Sequence, residues 1–287
     1  MNIQSFLVPS NGKKFQLRKY SPASTQGVRD EKEGVSLLEK CRSCLAEMQD
    51  KLYAEDKWAV LVVLQAMDAA GKDSTIKFVM SGVNPQGCQV VSFKEPSREE
   101  LDHDYLWRYM RNLPERGRIG IFNRYYYEEV LVVRVHPPLL DKQNLPDACK
   151  KDVWERRFAD INAVERYLVN NGVVPIKIFL NVSKNAQLKR LIKRLDKPNK
   201  NWKFSESDIA ERALWDDYMR AYESMLKNTS TEHAPWYVVP ADNKWYTRVA
   251  VAEIIIQRMT ELGLSYPEVS KERQLVLRKL RRKLAGA

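Results

Sequence analysis

Five short stretches of the chain are apolar without helical spacing, and each is followed by a stretch whose apolar positions recur every three to four residues. The first, residues 58–65 (WAVLVVLQ), is a continuous run of strand length, the pattern of a strand covered on both faces of a parallel sheet. Residues 88–93, 119–122, 173–181 and 236–239 read as the other strands. Helical spacing marks 37–52, where Leu37, Leu38, Cys41, Leu45, Met48 and Leu52 share a face. Helices are also predicted over 72–81, 98–112, 152–170, 186–195, 206–226 and 244–262. Five strands alternating with helices predict an α/β protein built on a doubly wound parallel sheet. Residues 1–34, punctuated by Pro9, Gly12, Pro22 and Gly27, read as an extended arm. Residues 196–202 (DKPNKNW) read as a hinge between two charged helices. The tail from Glu272 reads as an amphipathic basic helix with Leu275, Leu277, Leu280 and Leu284. There is no internal repeat, and 287 residues suffice for one large domain.

Charge sharpens this picture. The chain carries a formal net charge of +11, and two short segments account for it. Residues 183–203 hold eight Lys/Arg and one acid, and residues 271–287 hold seven Lys/Arg and one acid, leaving the remainder slightly acidic. Such focused positive fields suit a polyanion: a phosphate chain, nucleic acid or an anionic surface. No apolar run reaches bilayer length, and residues 1–10 lack the basic and apolar blocks of a signal peptide, so a cytoplasmic protein without membrane contact is expected. Four scattered cysteines, two of them in a C-x-x-C pair on the first helix (Cys41 and Cys44), read as reduced thiols rather than a disulfide frame or zinc site.

Candidate chemistry begins where the first strand ends, in Ala66-Met67-Asp68-Ala69-Ala70-Gly71-Lys72-Asp73-Ser74-Thr75. Gly71 and Lys72 fit the phosphate-loop template G-x-x-x-x-G-K-[ST], whereas Ala66 replaces its first glycine and Asp73 its Ser/Thr. A buried strand before and a helix after are the context in which backbone N–H groups and a helix dipole receive phosphate. Lys72 would bridge two phosphates as a point charge. Asp68, an acid in a loop meant for anions, points to a divalent cation shared between carboxylate and phosphate oxygens, or else to an Asx turn. A second strand end, residues 119–129, delivers Asn123 and Arg124 to the same sheet edge. Arg124 suits bidentate phosphate binding, with a salt bridge to Glu128 or Glu129 as the alternative.

Five stretches then resemble one family, the second polyphosphate kinase family of polyphosphate:nucleotide phosphotransferases: DAAGKDSTIK (68–77), SGVNPQGCQVVSFKEPS (81–97), RIGIFNRYYYEEVLVVRVHP (118–137), KNWKFSESDIAERALWDDYMRAYE (200–223) and WYVVPADNKWYTR (236–248). The resemblance spans about residues 5 to 267. It implies a thymidylate-kinase-like P-loop fold, a five-stranded parallel sheet flanked by helices and carrying a helical lid at about 186–226. The domain so implied runs over 1–270, followed by a basic C-terminal helix at 271–287. It implies reversible transfer between inorganic polyphosphate and AMP or ADP, dependent on Mg²⁺ with Mn²⁺ as a substitute, in a homo-oligomer (dimer or tetramer) that binds no nucleic acid.

By position in the motifs, Asp68, Lys72 and Arg124 carry over as catalytic residues, with Asp68 at the metal. The loop residues Ala69, Ala70, Gly71, Lys72, Asp73 and Ser74 carry over as phosphate contacts, together with Arg124, Arg190, Arg194 and Lys203. Asn123 and Glu128 carry over to the nucleotide, and Glu128 resembles the form in members that use both AMP and ADP. Three positions depart from the family's usual pattern: Ala66 for Gly, Asn123 where others have Asp, and Tyr125 for Ser.

A nucleotide phosphate oxygen is already ionised near neutral pH, so no general base is needed and none of His103, His136 and His233 is assigned one. The aromatic residues Trp202, Phe204, Trp215, Tyr218 and Tyr222 offer one base-stacking surface, the rest being core. Two other functions fit the same features: an ATP-dependent nucleoside monophosphate kinase on this fold, and a nucleic-acid-binding protein using the basic segments.

Overall fold

The computed structural model describes every residue except Asn11, Lys13, Lys203 and Ala287. Its centre is a five-stranded sheet of β1 (Ala59–Gln65), β2 (Cys88–Ser92), β3 (Ile119–Asn123), β4 (Val173–Asn181) and β5 (Trp236–Pro240). The order is β2-β3-β1-β4-β5, and every neighbouring pair is parallel. β1 is buried along its whole length, as its unbroken apolar run requires. The order reverses at β1, which pairs with β3 on one side and β4 on the other. The crevice beyond the carboxyl ends of such strands is where open α/β sheets bind ligands.

Two long helices pack against each other beside the sheet. α1 (Glu31–Glu55) starts at Asp30, whose side chain accepts from the Glu33 N–H at 2.8 Å. It buries Leu38, Cys41, Leu45 and Leu52 against α13 (Lys244–Thr260). The two approach closely because Gly34 leaves room: a Cβ there would come within 2.4 Å of the Trp245 ring. α2 (Lys72–Val79) follows β1. Residues 98–112, expected as one helix, form two single turns, α3 (Arg98–Leu101) and α4 (Trp107–Met110). Ser97 and Glu100 cap the first reciprocally, and the Asp104 side chain takes the Leu106 N–H, so local polar side chains outcompete a continuous helix.

Beyond β3 come the short turns α5 (Val132–Val135), α6 (Pro138–Asp141) and α7 (Asp147–Lys150), then the long α8 (Val153–Asn170). After β4 come α9 (Lys184–Leu195), the single turn α10 (Pro198–Asn201), α11 (Ser207–Ala213) and α12 (Trp215–Thr229). The single helix expected over 206–226 is thus two. At Leu214 the N–H bonds back three residues to Glu211, which tightens the turn, and α11 buries nothing while α12 buries seven residues.

The arm expected over 1–34 ends at Asp30, since Glu31 already opens α1; up to there it is irregular apart from short turns at Ile3–Phe6 and Leu17–Lys19, but it packs closely: Ile3, Phe6, Val8, Phe15, Leu17 and Val28 join the core, and Leu7 bridges Tyr237 of β5. α14 (Lys271–Ala285) is helical, as expected, and buries no residue. All four cysteines are free, and among the described residues no helix is long and apolar enough to cross a membrane.

Candidate active site

The turn after β1 is held by a bond from the Ala70 N–H to the Met67 carbonyl at 3.2 Å. Ala69 and Gly71 take left-handed backbone angles (φ 60° and 111°), and Gly71 tolerates the second because it has no Cβ. The Thr75 N–H reaches back to the Gly71 carbonyl at 2.9 Å and opens α2, so the N–H groups of Lys72, Asp73 and Ser74 have no acceptor within the helix. They form the positive end of α2 at the edge of the sheet.

β3 ends beside this turn, with Asn123 level with Leu64 of β1. Arg124 then adopts a left-handed conformation (φ 68°), which is strained for a residue with a Cβ. That reversal sends its guanidinium to Asp68, at 2.9 Å, and not to Glu128 or Glu129. Glu129 pairs instead with Arg157, at 3.1 Å. The chain after Arg124 is pinned from below. The Tyr126 and Tyr127 hydroxyls both donate to Glu165 Oε1, at 2.8 and 2.5 Å. Lys177, from the middle of β4, donates to Glu165 Oε2 and to the Thr229 carbonyl, both at 2.6 Å.

The two strand ends open into a cleft of about 700 Å³. Residues 68–74 form its floor, and one wall is built by Ser92, Phe93, Lys94 and Glu95 after β2 with Asn123 and Arg124. The facing wall comes from α9 and α10, with Arg190, Lys193, Arg194, Lys200 and Trp202, and from Lys244 at the start of α13. The loop and the cationic segment therefore confront each other directly.

Charges inside the cleft control one another. Burial works to raise the Asp68 carboxyl, but Lys72 and Arg124 together outweigh it and hold it below the usual carboxylate range. Burial pushes the Lys72 ammonium down against the pull of Asp68. Glu128, outweighing burial, raises Arg124 and keeps it charged. Burial raises the Glu128 carboxyl against Arg124 and Lys72. Asp68, Lys72, Arg124 and Glu128 thus form a set balanced in formal charge, and any surplus to meet a polyanion must come from the facing wall.

Several expected contacts have more specific geometry than their motifs suggest. The Lys72 ammonium donates to the Ala66 carbonyl at 2.7 Å, using one of its three N–H groups. Asp73 accepts from the Asn123 amide at 2.9 Å, and the Ser74 hydroxyl donates to the Gly71 carbonyl at 3.0 Å. Arg190 faces the cleft, but its guanidinium donates to four carbonyls, those of Ala69, Ala70, Ala241 and Asp242, which ties α9 to the loop and to the end of β5. Arg194 pairs with Asp208 of α11 at 3.2 Å. Glu128 is not among the residues that line the cleft, and it acts on Arg124 electrostatically. Lys203 lies outside the described residues.

Trp215, Tyr218 and Tyr222 are core residues of α12, while Trp202 stands 76% exposed at the cleft. Lys94, Lys193, Lys200 and Lys244 were not singled out from sequence. Lys193 and Lys200 belong to the basic segment, and Lys94 and Lys244 lie in two of the five resembling stretches.

Among the described residues no group of three or more His, Cys, Asp or Glu side chains could hold a metal ion alone. The cleft nevertheless presents an oxygen-only donor set that fits a hard divalent cation. The carboxylates of Asp68 and Asp73 both line it, and Asn123 Oδ1 beside them is buried without a hydrogen-bond partner.

The model of the family described as Polyphosphate kinase 2 matches residues 28–264. The chain belongs to the polyphosphate kinase 2 family. It is 49% identical over 276 residues to the ADP-polyphosphate phosphotransferase of Rhodopseudomonas palustris, covering 95% of each protein. It is 42% identical over 267 residues to the AMP/ADP-polyphosphate phosphotransferase of Meiothermus ruber, covering 93% of this chain and 96% of that protein. The crystal structure of Polyphosphate Kinase 2 from Arthrobacter aurescens superposes with a TM-score of 0.83 at 41% identity, over 95% of this chain and 98% of that one. The parallel α/β sheet read from strand–helix alternation, and the kinase fold that the resemblance implies, both agree with this relationship.

Proposed function

We propose that the cleft carries a phosphoryl group between inorganic polyphosphate and a nucleoside phosphate, AMP or ADP. The observation that carries this reading is the confrontation of the phosphate loop with the cationic wall of α9 and α10 across one 700 Å³ cleft. An oxygen of the nucleotide's phosphate attacks the terminal phosphorus of the chain. The new P–O bond forms as the bridging P–O bond breaks, and polyphosphate leaves one unit shorter. One phosphoanhydride replaces another, so the reaction runs in both directions according to concentrations.

Catalysis then consists of alignment and charge neutralisation. The N–H groups at the start of α2 hold the transferring phosphate, and Lys72 and Arg124 face the charge on its oxygens. Arg194, Lys193, Lys200 and Lys244 follow the polyphosphate chain. Asn123 and Glu128 stand on the nucleotide side, Glu128 acting through Arg124. The helices from α9 to α12 act as a lid that keeps water from the donor. Asp68 and Asp73 would hold a divalent cation, Mg²⁺ or Mn²⁺, which would supply charge stabilisation to the phosphate oxygens.

The decisive assay gives the purified protein Mg²⁺ with either polyphosphate or ATP as sole donor, and AMP or ADP as acceptor, followed by separation of products. ADP and ATP should form from polyphosphate. Turnover with ATP alone, and none with polyphosphate, would replace this reading with that of an ATP-dependent nucleoside monophosphate kinase.

A further inference from the structure

Three consecutive carbonyl oxygens of the phosphate loop are held by one face of α9. Gln187 Nε2 donates to the Asp68 carbonyl at 3.0 Å, and Arg190 Nη1 donates to those of Ala69 and Ala70 at 3.2 and 2.5 Å. The two side chains stand three residues apart and so share that face. Because C=O and N–H point oppositely in a trans peptide, fixing these oxygens also fixes where the following N–H groups point. Oxygens bonded to α9 cannot be presented to an anion.

Gln187 is 1% exposed, and both ends of its amide are used. Its Oε1 accepts from Arg212 Nη1 at 2.8 Å, and the same nitrogen donates to the Lys184 carbonyl at 2.7 Å. A carbonyl can only accept and a guanidinium can only donate, so this position needs one donor and one acceptor on a single side chain. A carboxamide of this length meets the requirement; a carboxylate or a thioether does not.

Arg212 belongs to α11, which buries nothing and is seated by polar contacts: Arg212 on Gln187 and Lys184, Asp208 on Arg194, and Glu211 with His136 at 3.0 Å. We infer that Gln187 is a positioning residue for phosphoryl transfer, linking the seating of α11 to the orientation of the phosphate loop at Asp68. With α11 seated, Arg212 orients the amide, and the amide sets the peptide whose neighbouring carboxylate meets Arg124. With α11 displaced, the amide is released and the loop loses that restraint. The inference rests on assigning phosphoryl transfer to this cleft.

The test is steady-state kinetics with polyphosphate and ADP, alongside thermal melting, on wild type, Gln187→Glu, Gln187→Met, Arg212→Met and the Gln187→Met/Arg212→Met pair. Gln187→Glu keeps the acceptor for Arg212 but removes the donor to Asp68, and Gln187→Met removes both at similar volume. Each should lower kcat at saturating substrates by about tenfold or more, as small misplacements of reacting groups do. Arg212→Met should lower kcat alone but add nothing once Gln187 is methionine. Turnover within about twofold of wild type in Gln187→Met, with only the melting temperature reduced, overturns the inference. So do effects of the two substitutions that simply multiply. Should neither Gln187 variant fold, the half-buried Arg212 decides: unchanged kcat in Arg212→Met overturns the link. A wild-type protein without turnover would overturn the functional assignment itself, and this inference with it.

Discussion

The Lys177–Glu165 pair offers the sharpest energetic test of how this site is supported. Both side chains are wholly buried and 2.6 Å apart, and the carboxylate also receives the hydroxyls of Tyr126 and Tyr127, two and three residues beyond Arg124. Lys177→Met keeps most of the aliphatic volume, so no large cavity opens. It leaves a buried carboxylate without its counter-ion, which costs about 3–5 kcal/mol, and deprives the Thr229 carbonyl of its 2.6 Å donor, which costs about 1–3 kcal/mol more. At about 2–4 °C per kcal/mol for a chain of this size, the melting temperature should fall by roughly 10 °C or more. Adding Glu165→Gln removes the stranded charge while keeping an oxygen for the tyrosines. The double variant should therefore recover about half of the loss, a positive coupling that urea titration and calorimetry both measure. The reasoning fails if the single variant unfolds within about 1 kcal/mol of wild type, or if the double variant is less stable than the single. Because the tyrosines hold the segment after Arg124, the single variant should also turn over more slowly at temperatures where it is folded.

Asp68→Asn and Lys72→Ala should each reduce turnover by about a hundredfold or more at temperatures where the variant is folded, and near-wild-type rates would remove them from catalysis. Lys244 supplies a pH signature. Burial, with the nearby cations Arg190, Lys200, Arg248 and Lys193, pushes its ammonium down to about 8. The contribution proposed for it to polyphosphate affinity should therefore be complete well below pH 8 and be lost as the pH rises through that value. KM for polyphosphate should climb across this range in wild type, and a profile unchanged in Lys244→Met would contradict the assignment. Deleting 271–287 should leave the melting temperature of the rest within about 1 °C, because α14 buries no residue; a larger loss would mean that the helix packs on the domain.

The parts of this protein legible in its sequence are those governed by local rules. β1 announced itself as an unbroken apolar run because both its faces are covered, and α1 and α8 did so because their buried residues recur at helical spacing. The loop at 66–75 was legible because phosphate binding needs a strand, a turn with a glycine, and a helix start in succession. The breaks at 102–106 and Leu214 were not, since apolar periodicity does not register a polar side chain capturing a backbone N–H or one tightened turn. The arm at 1–34 showed no period, yet its apolar residues are buried by contacts with the distant β5 and α13.

What the sequence alone determined is the parallel α/β architecture, the phosphate loop and the placement of positive charge, because each depends on residues close together along the chain. What only the tertiary structure decided is which charges meet. Arg124 goes to Asp68 because a left-handed backbone angle turns it there. Arg190 binds carbonyls because α9 lies against the loop. Glu128 is left out of the cleft lining, and Gln187, an ordinary polar residue in sequence, joins two elements over a hundred residues apart in the chain. Hydrogen bonds and ion pairs act over a few ångströms of space, and that distance is set by how the sheet's strands are ordered, which no local pattern encodes.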